Sequence, residues 1–179
     1  GQNLSPIDCK IMAAEYDFCG FIATIARLAL GSNPRIGDEA MVQLLEVVKD
    51  VSLTSLDISK TGCGVFTAGK LAELLSGATK FGATIASLDC SQNDAITGKR
   101  SRDNDGEGPW IYGENLDGWN KMCSALAGSS ITSLNFCGCR LNSESLTPLT
   151  EAIKVMATVA DLNISMNPIG VDGAKALGD

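Results

Sequence analysis

Residues 101–119 read SRDNDGEGPWIYGENLDGW, and they crowd charges, glycines, both tryptophans and one of the two tyrosines into one stretch. Two kinds of chemistry fit these residue types. The first is metal binding: counted from Asp103, carboxylates stand at positions 1, 3, 5 and 12 (Asp103, Asp105, Glu107, Glu114) and Gly108 at 6. That is the oxygen-ligand spacing of a calcium loop held between two helices, and Pro109 at the next position need offer only its carbonyl. Against it, GKRSR is a poor incoming helix, and Glu107 is longer than the usual ligand there. The second chemistry is contact. Trp110, Ile111 and Tyr112 are consecutive, and tryptophan and tyrosine are the side chains that most often anchor interfaces. The same three residues could instead fold back on the body of the protein and pin the segment down.

Other chemistries lack their residues. The chain has no histidine, which removes the commonest general base, the usual catalytic dyads and triads, and most zinc sites. Cys137-Gly-Cys139 has one intervening residue rather than two and no second pair at ligand spacing. No glycine-rich phosphate loop is present, and Gly62-Cys63-Gly64 reads as a turn. No enzyme is expected, and calcium is the only cofactor that the residues suggest. A net charge of -7 with pI near 4.6 argues against nucleic-acid binding, which rests on lysine and arginine neutralising phosphates. A protein partner, basic or neutral, suits this surface better. No apolar run is long enough to span a bilayer, so membrane insertion is not expected. The N-terminal GQNLSPIDCK lacks a signal-peptide layout. Seven cysteines, an odd number scattered mostly over apolar positions, suggest reduced thiols and a cytoplasmic protein. Asn163-Ile164-Ser165 matches a glycosylation acceptor but falls in an expected strand, so it reads as chance.

What must position residues 101–119 is a repeat. Five phrases align: IARLALGSN from Ile25, LTSLDISKT from Leu53, IASLDCSQN from Ile85, ITSLNFCGC from Ile131 and VADLNISMN from Val159. Their spacings are 28, 32, 46 and 28, so the unit is 28 residues and two units are longer by 4 and by 18. Alternation around Leu56 and Ile58 predicts a short strand with one buried face. After each strand comes a phrase of helical period, such as IGDEAMVQLLEVV, LNSESLTPLTEAI and IGVDGAKAL. Each unit is therefore a strand and a helix that bury their apolar sides only against neighbouring units.

The 28-residue period, the LxxLxLxxN phrase and the helical halves resemble leucine-rich repeats of the ribonuclease-inhibitor type. The resemblance covers residues 25–177, and 4–16 looks like the helical half of a preceding unit. It implies an α/β solenoid, a single domain over 1–179, with a parallel sheet on a concave side and helices on the convex side. It also implies a non-catalytic interaction module or scaffold. Members of the family include inhibitors of basic ribonucleases, regulators of small GTPases, actin-regulatory scaffolds and immune sensors. A calcium-responsive module and a structural spacer in a larger assembly are the other readings.

In that register Asn33, Asn93 and Asn167, with Thr61 and Cys139 between them, sit where the backbone leaves each strand. They are expected to satisfy freed backbone groups, a structural task. Asp57, Asp89, Asn135 and Asn163 form a polar column on the sheet face that suits a basic segment, though an ordinary solvated sheet explains it as well. The 18 extra residues fall between strand and helix, at about 98–115, and LDGWNKM then resumes the helix. Trp119 is thereby expected in the core, while Trp110, Ile111 and Tyr112 project on a rim loop. The chain begins inside a helical half-unit and ends at GAKALGD without a visible cap, as a fragment of a longer array does.

Overall fold

In a computed structural model, residues 2–19, 24–101 and 108–178 are described. Five three-residue strands carry the repeat: β1 (Arg27–Ala29), β2 (Ser55–Asp57), β3 (Ser87–Asp89), β6 (Ser133–Asn135) and β7 (Asp161–Asn163). They form one parallel sheet in that order. Leu28, Leu56, Leu88, Leu134 and Leu162 are paired across all five strands, so the sequence phrases and the strand register coincide. Helices α1 (Pro6–Cys19), α2 (Gly37–Val48), α3 (Val65–Ser76), α5 (Asp117–Leu126), α6 (Ser143–Val155) and α7 (Gly170–Gly178) pack in sequence order, each against the next.

The core lies between sheet and helices. In α2, Met41, Leu44, Leu45 and Val48 recur at three- and four-residue steps and are all buried. In α5 the same spacing buries Trp119, Met122, Cys123 and Leu126. Trp119 is wholly inside; its Nε1 donates to the Ser145 carbonyl at 2.7 Å, and its ring meets Phe136 edge-on at 5.1 Å. Between α3 and β3, the unit lengthened by 4 residues holds the short helix α4 (Lys80–Thr84), which buries Phe81 and is capped by the Thr79 hydroxyl.

The asparagine column ties adjacent units together. Asn93 Nδ2 donates to the carbonyls of Cys90 in its own unit and Ile58 in the preceding one, at 3.0 and 2.8 Å. Its Oδ1 accepts from the backbone N–H groups of Thr61 and Cys63, both at 3.1 Å. Asn167 repeats the pattern with Ile164, Phe136 and Leu141, and Asn33 with Leu30, Gly31 and Leu4. Thr61 and Cys139 fill the column with one donor each, to Ile58 and to Cys90. The residue before each column position (Ser32, Lys60, Gln92, Gly138, Met166) has φ between 51° and 67°, a left-handed turn that only the fourth unit gives to glycine.

The rim insertion is not a bare loop. Lys99–Ser101 (β4) and Trp110–Tyr112 (β5) pair antiparallel, with Lys99 opposite Tyr112, as a hairpin. Aromatic and branched side chains at 110–112 favour extended backbone. Gly98 and Gly113 form its base, at φ of 87° and 78°, and Gly113 N donates to the Gly98 carbonyl at 2.9 Å. A side chain on Gly98 would stand 2.5 Å from Asn115 N, so the entry to the hairpin requires glycine.

Candidate functional site

Hairpin and solenoid rim meet through one cluster of charges and rings. Lys99 Nζ lies 3.1 and 3.2 Å from the two carboxylate oxygens of Asp94 and 4.6 Å from the Trp110 ring centre. The Tyr112 hydroxyl donates to Asp94 Oδ2 at 3.4 Å, and the Arg140 guanidinium stands 5.1 Å from the Tyr112 ring centre. The two aromatic residues differ in their surroundings. Tyr112 and Ile111 are half-buried, with Tyr112 fastened to the rim, whereas Trp110 remains 52% exposed. An open cleft of about 430 Å³ runs beside them, with Pro109, Trp110, Ile111 and Tyr112 on one wall and Arg140, Asn142 and Pro168 on the other.

Asp57, Asp89, Asn135 and Asn163 do share one row of the sheet. Each is engaged locally: its Oδ1 accepts the N–H two residues on, from Ser59, Ser91, Cys137 and Ser165, at 2.9–3.1 Å. Asn135 Nδ2 also donates to Asp89 Oδ2 at 2.8 Å. These side chains therefore terminate the strands as well as facing outward, which limits what remains for a partner. The shallow trough over β3, β6 and β7 shares no lining residue with the rim cleft.

For the calcium spacing, Asp103, Asp105 and Glu107 lie outside the described residues. Glu114 is exposed, and strand β4 stands where a calcium loop has its incoming helix. Among the described residues no cluster of three or more metal-ligating side chains is found. Sequence reasoning missed Asp94, Lys99 and Arg140. Lys99 becomes visible only once 99–101 and 110–112 are recognised as paired strands, because cross-strand neighbours share a face. Nothing local marks Arg140, which arrives from the following unit.

All six described cysteines are free. Cys9, Cys63, Cys90, Cys123 and Cys139 are buried, and burial raises every one of these thiols, Cys63 to about 11 and Cys139 to about 12. Cys137 alone is partly open to solvent, on the sheet face, where it accepts from the Ser165 hydroxyl at 3.2 Å.

With this geometry in hand, comparison with known proteins is informative about fold. The leucine-rich-repeat family model matches residues 156–178, the last unit. The solved structure "Leiomodin-1 Actin-Binding Site 2 (ABS2)" superposes with a TM-score of 0.65 over 98% of this chain and 89% of that one, at 15% identity. The fold of the present chain is the leucine-rich-repeat fold. A search of curated proteins returned no match. In leucine-rich-repeat terms the rim cleft lies beside the strand-to-helix turns of the third, fourth and fifth strand units, and the polar column lies on the sheet face. No described helix is long and apolar enough to cross a membrane.

Proposed function

We propose that this leucine-rich-repeat chain, of the ribonuclease-inhibitor type by its 28-residue period and full helices, is a non-catalytic interaction module whose hairpin binds a protein partner. One observation carries the reading: Trp110 is 52% exposed, two residues before a Tyr112 that is tied to the rim through Asp94. Leaving a large indole in water forgoes roughly 2 kcal/mol or more of burial free energy, which a partner surface recovers. Ile111 and Tyr112 supply the supporting wall. Asp57, Asp89, Asn135 and Asn163 form a secondary, cation-accepting face whose capacity is reduced by their strand-end hydrogen bonds. Free buried thiols favour a reducing, cytoplasmic setting.

The test is partner capture from cytosol by the intact chain, by Trp110→Ala and by a chain whose residues 98–115 are replaced with a short Gly-Ser link. The reading expects specific partners to be lost with the hairpin and weakened by Trp110→Ala, with the denaturation midpoint of Trp110→Ala unchanged. Partners that persist without the hairpin contradict it. Purified actin belongs in the same assay, because the similar structure is titled as an actin-binding site.

A further inference from the structure

Residues 98 and 113 form a hydrogen-bonded pair across the base of the hairpin. In an antiparallel ladder bonded and non-bonded pairs alternate. Arg100 and Ile111 are therefore the next bonded pair, and Trp110 and Tyr112 turn their backbone N–H and C=O groups away from β4. Among the described residues those groups meet no other backbone group. The unpaired edge borders the rim cleft, for Pro109 to Tyr112 line that cleft and Lys99, the β4 residue whose side chain is described, does not. An exposed strand edge is a template for a further strand.

Charge then selects what that strand carries. The chain as a whole is acidic, at -7, yet the charged side chain in this cleft is Arg140. Lys99 is already matched by Asp94, whereas Arg140 makes no ion pair among the described residues and rests on the Tyr112 ring. On the rim reading above, we infer that the cleft takes an extended, acidic segment of a partner protein, added as a strand to the open edge of β5. Cross-strand geometry sets the side chains. Partner residues opposite Trp110 and Tyr112 are two apart and share the face those rings occupy. An apolar residue covers the Trp110 indole, and two positions away an Asp or Glu meets the Arg140 guanidinium, whose donors suit a carboxylate.

The test is selection of a displayed library of random nine-residue peptides on the intact chain, followed by titration of the enriched peptides. The expected peptides carry Asp or Glu two positions from an apolar or aromatic residue and perturb Trp110 fluorescence. Arg140→Glu, an exposed surface change, should weaken them at least about tenfold, because a charge-assisted hydrogen bond is replaced by repulsion. N-methylation of the peptide amides facing β5 should abolish binding. Enriched peptides that lack acidic residues, that bind Arg140→Glu equally, or that tolerate N-methylation overturn the inference, as does a selection that enriches nothing. Those failures leave hairpin-dependent partner capture standing; loss of hairpin dependence in that capture brings down the rim reading itself.

Discussion

Trp110 and Tyr112 stand on one strand, on the same face, and meet different fates because Tyr112 has a hydroxyl within reach of Asp94, while Trp110 has Lys99 over its ring and no hydrogen bond among the described residues. The sequence could announce that aromatic residues gathered here but not which one would be tied down, since Asp94, Lys99 and Arg140 reach them from other positions of the chain. The asparagine column was fully legible, because each Asn sits at a fixed place in a counted repeat. Its energetic weight can now be ranked. Asn93 holds buried backbone groups of two units through several hydrogen bonds, whereas Thr61 holds one carbonyl. Asn93→Ala is expected to cost at least about 3 kcal/mol in chemical denaturation and Thr61→Ala about 1, at roughly 1–3 kcal/mol per stranded group. Equal losses would refute the cross-unit role. The thiols make a second residue-level prediction. A thiol must deprotonate to react, and burial holds Cys63 at about 11 and Cys139 at about 12. Brief alkylation of the native protein at pH 8, read by mass spectrometry, should modify Cys137 well before Cys9, Cys63, Cys90, Cys123 or Cys139. Rapid labelling of Cys90 would mean that the core opens.

Elements join in ways that pattern reading covers unevenly. Strands and helices follow from periods of two and of three to four, and each repeat phrase found its place. The hairpin did not, because an 18-residue excess reads as length alone until two short extended runs are paired. Contacts between helices are hidden for the same reason. Asp38, in the first turn of α2, accepts from the N–H groups of Gly64, Phe66 and Thr67 at 2.7–3.0 Å and so caps the start of α3, one unit away. Helices α3 and α5 approach so closely that a side chain on Gly118 would lie 2.2 Å from the Val65 carbonyl oxygen. Backbone cannot yield as a side-chain tip does. Gly118→Ala is therefore expected to destabilise by about 1–3 kcal/mol or more. The facing Gly69 is different, since its nearest neighbour would be the Gly118 Cα at 3.9 Å. Gly69→Ala should be neutral or stabilising by up to about 1 kcal/mol, through helix propensity and reduced freedom of the unfolded chain. Thermal denaturation of the two variants separates the cases, and opposite signs are the expected result.

At the scale of the whole molecule, each unit contacts its neighbours in sequence and little else, so stability is a chain of interfaces rather than one centre. This is why the architecture was readable from repeats, whereas the proposed contact surface was not: it is a departure from the period, and a departure carries no pattern of its own. Here the departure is the hairpin, with its half-exposed indole beside a cleft that the period did not require. The most direct measurement is site-specific photo-crosslinking in cytosol. A benzophenone side chain is installed in turn at Trp110, at Asn135 on the sheet face and at Thr147 on the exposed side of α6. The account predicts a discrete partner adduct as the main product from position 110, at most a weaker one from 135 on the secondary face, and none from 147. An adduct from 135 or 147 with none from 110 would contradict it and move the interface off the rim.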